Sequence, residues 1–128
     1  MSRYYKLVNK IPVETDIRGF TGLYDGLEKE SRRVASTTIG ESNISTVFLG
    51  LNHNYDDTGP PILFETLVFG GPLEDHMARY CTWDEAVKGH EKICNLVRQA
   101  YKDDGINYDY EEVEPTETEF KKKRNIRL

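Results

Sequence analysis

Runs of β-branched and aromatic residues, each bounded by turn-forming residues, fill the first two thirds of the chain, and a long stretch of helical periodicity follows. RVASTTI (Arg33–Ile39) leads through a turn at Gly40–Asn43 into ISTVFLGLNH (Ile44–His53), and NYDDTGPP separates that run from ILFETLVFG, which begins at Ile62. Val, Ile, Thr and Phe fit a half-buried pleated surface, so the pattern predicts three consecutive antiparallel strands. Tyr4–Val8 and Ile11–Glu14 alternate weakly about Asn9–Lys10 and predict a hairpin, with Pro12 confining its second strand to an edge.

From Trp83 the period changes. Trp83, Val87, His90, Cys94, Val97 and Tyr101, flanked by Ala86, Ile93 and Ala100, recur at the spacing of one helix face. Thr82 and Glu85 stand as a capping box, so a helix is expected over Trp83–Lys102, ending near Asp103–Gly105. Phe20, Leu23, Tyr24 and Leu27 also fall at helical spacing, but Gly19, Gly22 and Gly26 interrupt them, and a broken helix or loop is expected there. The fold class that follows is α+β: an antiparallel sheet of about four to five strands packed on one long C-terminal amphipathic helix.

Residues 1–103 read as a single α+β domain and 104–128 as a charged extension, with acids before Glu119 and bases from Lys121. Such blocks are disordered in part, and an edge strand is expected over Asn107–Val113. A chain of 128 residues with a net charge of −5 is one modest domain and a poor candidate for general nucleic-acid binding, which needs clustered Lys and Arg. No apolar run approaches a membrane span and the N-terminus lacks a secretory signal, so a cytoplasmic protein is expected. Cys81 and Cys94 are too few for a disulfide framework and are expected to be reduced thiols.

Glu65 is the anomaly of the central strands, a carboxylate inside ILFETLVFG. If the loop closes with His53 opposite Ile62, then Val47, Leu49, Leu51, Ile62, Phe64 and Val68 form one apolar face. Glu65 then faces Gly50 on the other, beside a gap. The candidate ligand-binding set is Glu65, Gly50, His53, Tyr80, Trp83 and His90. The structural alternative pairs Glu65 with Arg79 or a tyrosine. The second face, with Phe48, Leu63, Leu67 and Phe69, is expected to be covered by a homodimer partner or by Phe20–Leu27.

His90 reads as a core histidine bonded to a carbonyl or a tyrosine hydroxyl; a functional alternative joins it to Glu65. His53, His76 and His90 with Asp56, Asp57, Glu65 and Asp75 match no compact metal motif, and neither a metal nor a cofactor is expected. There is no nucleophile elbow and no phosphate-cradling P-loop, and Gly70–Gly71 before Pro72 reads as a turn.

STVFLGLNH (Ser45–His53), PPILFETLVFGG (Pro60–Gly71) and RYCTWDEAVKGH (Arg79–His90), preceded by YYKLV and RRVA, resemble a group of small uncharacterised proteins of bacteriophages and prophages. The likeness covers most of residues 4–97; the glycine-rich Asp16–Glu28 and the charged tail depart from it. It implies a phage-borne accessory protein and no particular chemistry. The expectation is a non-catalytic protein binding a small nucleotide-like ligand or host signal in counter-defence. The alternatives are an inhibitor of a host protein working through an acidic surface, and a small hydrolase using Glu65 and a histidine.

Overall fold

The computed structural model of the chain describes residues 3–18, 32–56, 58–108 and 110–114, so Phe20–Leu27, Asp57 and the tail beyond residue 114 lie outside the described residues. Asn9 and Lys10 both take positive φ, 51° and 69°. That backbone twist matches the twist of paired strands and closes β1 (Tyr4–Val8) on β2 (Ile11–Thr15). β3 (Arg33–Ile39) turns at Gly40–Glu41 into β4 (Ser42–Phe48), a shorter turn than expected and a strand that stops well before His53. β5 (Phe64–Phe69), β6 (Met77–Tyr80), α1 (Trp83–Asp103) and β7 (Glu111–Glu114) complete the described elements.

The main sheet is antiparallel throughout, with five strands in the order β6-β5-β4-β3-β7, and the hairpin forms a separate two-stranded sheet. The α+β class therefore stands. The helix is not the last element, because β7 follows it and returns to the far edge of the sheet beside β3.

α1 begins where the capping box puts it. Thr82 Oγ1 accepts the Glu85 amide at 3.1 Å and donates to Glu85 Oε1 at 3.0 Å. Its buried residues are Ala86, His90, Ile93, Cys94, Val97 and Tyr101. Val87, placed in the stripe by spacing, is 45% exposed, because Ala86, one step round the helix, takes the contact with the sheet.

The face under α1 carries Ile44, Thr46 and Phe48 from β4 opposite Val68, Thr66 and Phe64 from β5. The expected partners Val47, Leu49 and Leu51 are not on it. At the loop His53 does meet Ile62, its amide donating to the Ile62 carbonyl at 2.9 Å. Between that bond and the Phe48–Phe64 pair, however, the β4 side spends five residues and the β5 side two. The excess is odd, so the faces exchange. Gly50, at φ 76°, starts the detour, and its carbonyl accepts the Tyr5 amide at 2.7 Å while Asn52 donates to the Arg3 carbonyl at 2.9 Å. The extra residues thus pair with the N-terminal hairpin.

Two apolar clusters form the core. Tyr5, Val34, Phe48, Leu63, Phe64 and Ala86 make one, with Trp83 and Tyr80 packed against it. Ile39, Ile44, Val68, Ile93, Cys94, Val97 and Tyr101 make the other. Thr46 lies between Ile44 and Phe48, Thr66 between Val68 and Phe64, and His90 between Ala86 and Cys94, so a polar layer divides the core.

Candidate functional site

The polar layer is one continuous hydrogen-bonded chain. Tyr80 Oη donates to Thr66 Oγ1 at 3.1 Å, Thr66 and Thr46 hydroxyls meet at 2.5 Å, Thr46 Oγ1 meets His90 Nδ1 at 2.6 Å, and His90 Nε2 meets Thr37 Oγ1 at 2.9 Å. With Tyr80 donating at one end, each threonine passes a hydrogen bond onward and His90 keeps its proton on Nε2. This assigns a neutral imidazole with both nitrogens satisfied. His90 is therefore a core histidine, held by threonine hydroxyls rather than by a carbonyl or a tyrosine.

Burial pushes the His90 imidazole below its ordinary value of 6.5, against a smaller upward pull from Glu91. A histidine whose folded value is depressed takes up its proton first in the unfolded chain, so stability is intact above about pH 6.5 and declines as pH falls through the folded value. Urea midpoints are expected to drop from pH 6.5 toward pH 5.5 and to flatten in His90→Gln; equal slopes in the two proteins would refute the assignment.

Glu65 sits on the opposite face of the sheet. Its cross-strand partner is Val47, not Gly50, and since Thr46 points at His90, Val47 points away from it. The expected gap beside Glu65 and a Glu65–His90 pair are both ruled out by this parity. Glu65 Oε2 instead accepts from Arg79 Nε at 3.0 Å, directly across β5 and β6. Arg79 is more than a third exposed, so the pair is worth little. Glu65→Gln is expected to lower stability by less than about 1 kcal/mol; a loss of several would mean that the acid does something further.

The candidate set therefore separates. Tyr80 and His90 are joined through Thr66 and Thr46, and Trp83 and His90 line one cleft. Gly50 serves the hairpin, and His53 folds back so that Nδ1 bonds the Leu51 carbonyl at 2.7 Å. His76 is exposed on the turn before β6. Among the described residues no group of three His, Cys, Asp or Glu side chains could hold a metal ion. Burial raises the thiols of Cys81 and Cys94 above their ordinary range, so neither is an activated nucleophile.

The cleft that Trp83 and His90 share has a volume of about 690 Å³ and lies between the first half of α1, β3, β7 and the tip of the hairpin. Val34, Trp83 and Val87 give it apolar walls; Lys10, Lys88 and Arg98 bring positive charge and Asp84, Glu91 and Glu114 negative charge. Arg98 is occupied by Glu111, Glu91 and Asn95. Lys10 and Lys88 make no ion pair among the described residues, and the Lys10 ammonium stands 5.4 Å from the centre of the Trp83 ring. Trp83 also meets Phe64 edge-on, with centroids 6.3 Å apart, which holds its ring in the cleft wall.

An α+β fold with a small cleft of aromatic wall and mixed charge is the class that fold and site define. Compared with protein-family models, with curated proteins and with solved structures, the chain matches none. No helix among the described residues is long and apolar enough to cross a membrane.

Proposed function

We propose that the chain is a phage-encoded accessory protein that binds a small nucleotide-like ligand, or a host signal of that chemistry, without converting it, in the host cytoplasm. The phage setting rests on the motif likeness described above. The observation that carries the binding reading is the Trp83 ring beside Lys10 and Lys88 in one cleft: an aromatic surface for a base and two ammonium groups for phosphate. Trp83 itself stands in the first turn of α1, at the positive end of its dipole.

Trp83 is the chain's one tryptophan, so its emission reports directly on the cleft. Titration with a panel of linear and cyclic nucleotides is expected to quench that emission saturably, to raise the melting temperature, and to return the nucleotide intact after denaturation. The charge-reversed Lys10→Glu/Lys88→Glu protein is expected to bind at least about tenfold more weakly by calorimetry. No response across the panel would end this reading, and a converted nucleotide would end its non-catalytic part.

A second reading, inhibition of a host protein through an acidic surface, is favoured by β7, an edge strand whose residues are all exposed and three of which are glutamates. Of the residues expected on the second sheet face, Phe48 and Leu63 are buried in the core, and homodimerisation is proposed through Leu67 and Phe69 with Met77, on the face away from α1; sedimentation at two concentrations tests it.

A further inference from the structure

Eighteen residues along α1 from Trp83, about 27 Å at the rise of a helix, a second cleft of about 490 Å³ opens where the chain leaves the helix and passes the Gly40–Glu41 and Gly71–Pro72 turns. Among the described residues its aromatic walls are Tyr101, Tyr108 and Tyr110, its charged residues are Glu41 and Asp104, and no lysine, arginine or histidine lines it. Tyr101 is held rigidly. Its Oη accepts the Glu41 amide at 3.0 Å and meets Ser42 Oγ at 3.0 Å, and Ser42 in turn donates to the Gly70 carbonyl at 3.0 Å. The Tyr108 ring leans on it at 55°, with centroids 5.1 Å apart.

Three independent features of this cleft act with the same sign. The faces of aromatic rings are electronegative and attract cations. Glu41 and Asp104 add formal negative charge, and Asp104 is the C-cap of a 21-residue helix, where the macrodipole has its negative pole. Against a bare metal ion, the walls are tyrosine rings rather than converging oxygens, and no metal-ligand cluster is found among the described residues. The geometry points to a site for an organic cation, an alkylated ammonium group seated against Tyr108 and Tyr110, with the buried Tyr101 packed behind Tyr108 and Asp104 and Glu41 at the rim. This site is at the other end of α1 from the nucleotide cleft and does not rest on it.

The probe is tetramethylammonium chloride, titrated at constant ionic strength and followed by the amide and tyrosine ring resonances of the full chain. Saturable shifts are expected at Gly40, Gly71 and Tyr108, with tert-butanol, the neutral molecule of similar shape, causing none. Tyr108→Leu is expected to weaken binding roughly tenfold, and Asp104→Asn, an exposed change at the C-cap that leaves the core untouched, a few-fold. Equal binding of tert-butanol would reduce the cleft to an apolar groove. Shifts that never saturate, or that persist unchanged in Asp104→Asn and Tyr108→Leu, would mean only that a chain of net charge −5 attracts cations, and the site would be rejected.

Discussion

Gly89→Ala is expected to destabilise the protein, although alanine is the better helix former by about 1 kcal/mol. Gly89 lies within α1, and a Cβ there would fall 2.1 Å from Tyr80 Cε1 and 2.3 Å from Cζ and Oη. Tyr80 has little freedom to yield, since its hydroxyl donates to Thr66 and its ring packs on the first apolar cluster. Overpacking of this kind costs about 1–3 kcal/mol, and displacing the ring also gives up a hydrogen bond of about 1 kcal/mol. After the gain in propensity, a net loss of about 1–3 kcal/mol remains, several degrees of melting temperature for a chain of this size. In a Tyr80→Ala background the obstacle is gone, and the same Gly89→Ala change is expected to stabilise. A stabilising effect in the wild-type chain would show that helix and strand do not approach so closely.

Thr46→Val removes a single hydroxyl at the centre of the divided core and is expected to cost about 2–3 kcal/mol, because two buried groups lose a partner together. His90 Nδ1 has no other hydrogen-bond partner among the described residues, and Thr66 loses the hydroxyl to which it passes its own hydrogen bond. Valine has nearly the same shape as threonine, so packing is preserved and the loss reports on polarity. Adding Thr66→Val, His90→Leu and Thr37→Val is expected to recover much of the stability, since the part-buried Tyr80 hydroxyl is then the one group of that hydrogen-bonded chain left to find a new partner. A loss below about 0.5 kcal/mol in Thr46→Val alone, read from urea midpoints, would mean that water replaces the hydroxyl.

What was legible in the sequence is what local rules decide. Asn9–Lys10 set the first hairpin, Thr82 and Glu85 set the start of α1, and the spacing of His90, Cys94, Val97 and Tyr101, with Ala86 and Ile93 as flanks, set its buried face, from which only the stripe's upper members Trp83 and Val87 depart. The β4–β5 register was not legible, because Gly50 and Asn52 pair with Tyr5 and Arg3, far away in sequence, and an odd detour reverses every face assignment. That reversal removes the gap expected beside Glu65, whereas the pairing of Glu65 with Arg79, which does not depend on the β4–β5 register, was legible and stands. β6 is four residues long, too short for periodicity to mark. The hydroxyls that hold His90 left a signal only in β5 and β4, where Thr66 and Thr46 each stand between apolar residues of the inward face (Phe64 and Val68, Ile44 and Phe48). Lys10 beside Trp83 left none, since their proximity depends on how the hairpin docks.

The strand order β6-β5-β4-β3-β7 also bears on assembly in time and on how the fold resists self-association. Pairings within β3 to β6 join strands adjacent in sequence, so the meander closes through connections far shorter than the span from Ser36 to Glu114, whose pairing is expected to wait for α1 to dock. β7 is then the last strand on and the first to leave. While it is absent, β3 presents an open row of amides and carbonyls on which another chain can build; once it is present, Glu111, Glu112 and Glu114 make the outer edge a charged and unattractive template. Loss of β7 would therefore be felt first as aggregation during refolding, before any change in the core it borders.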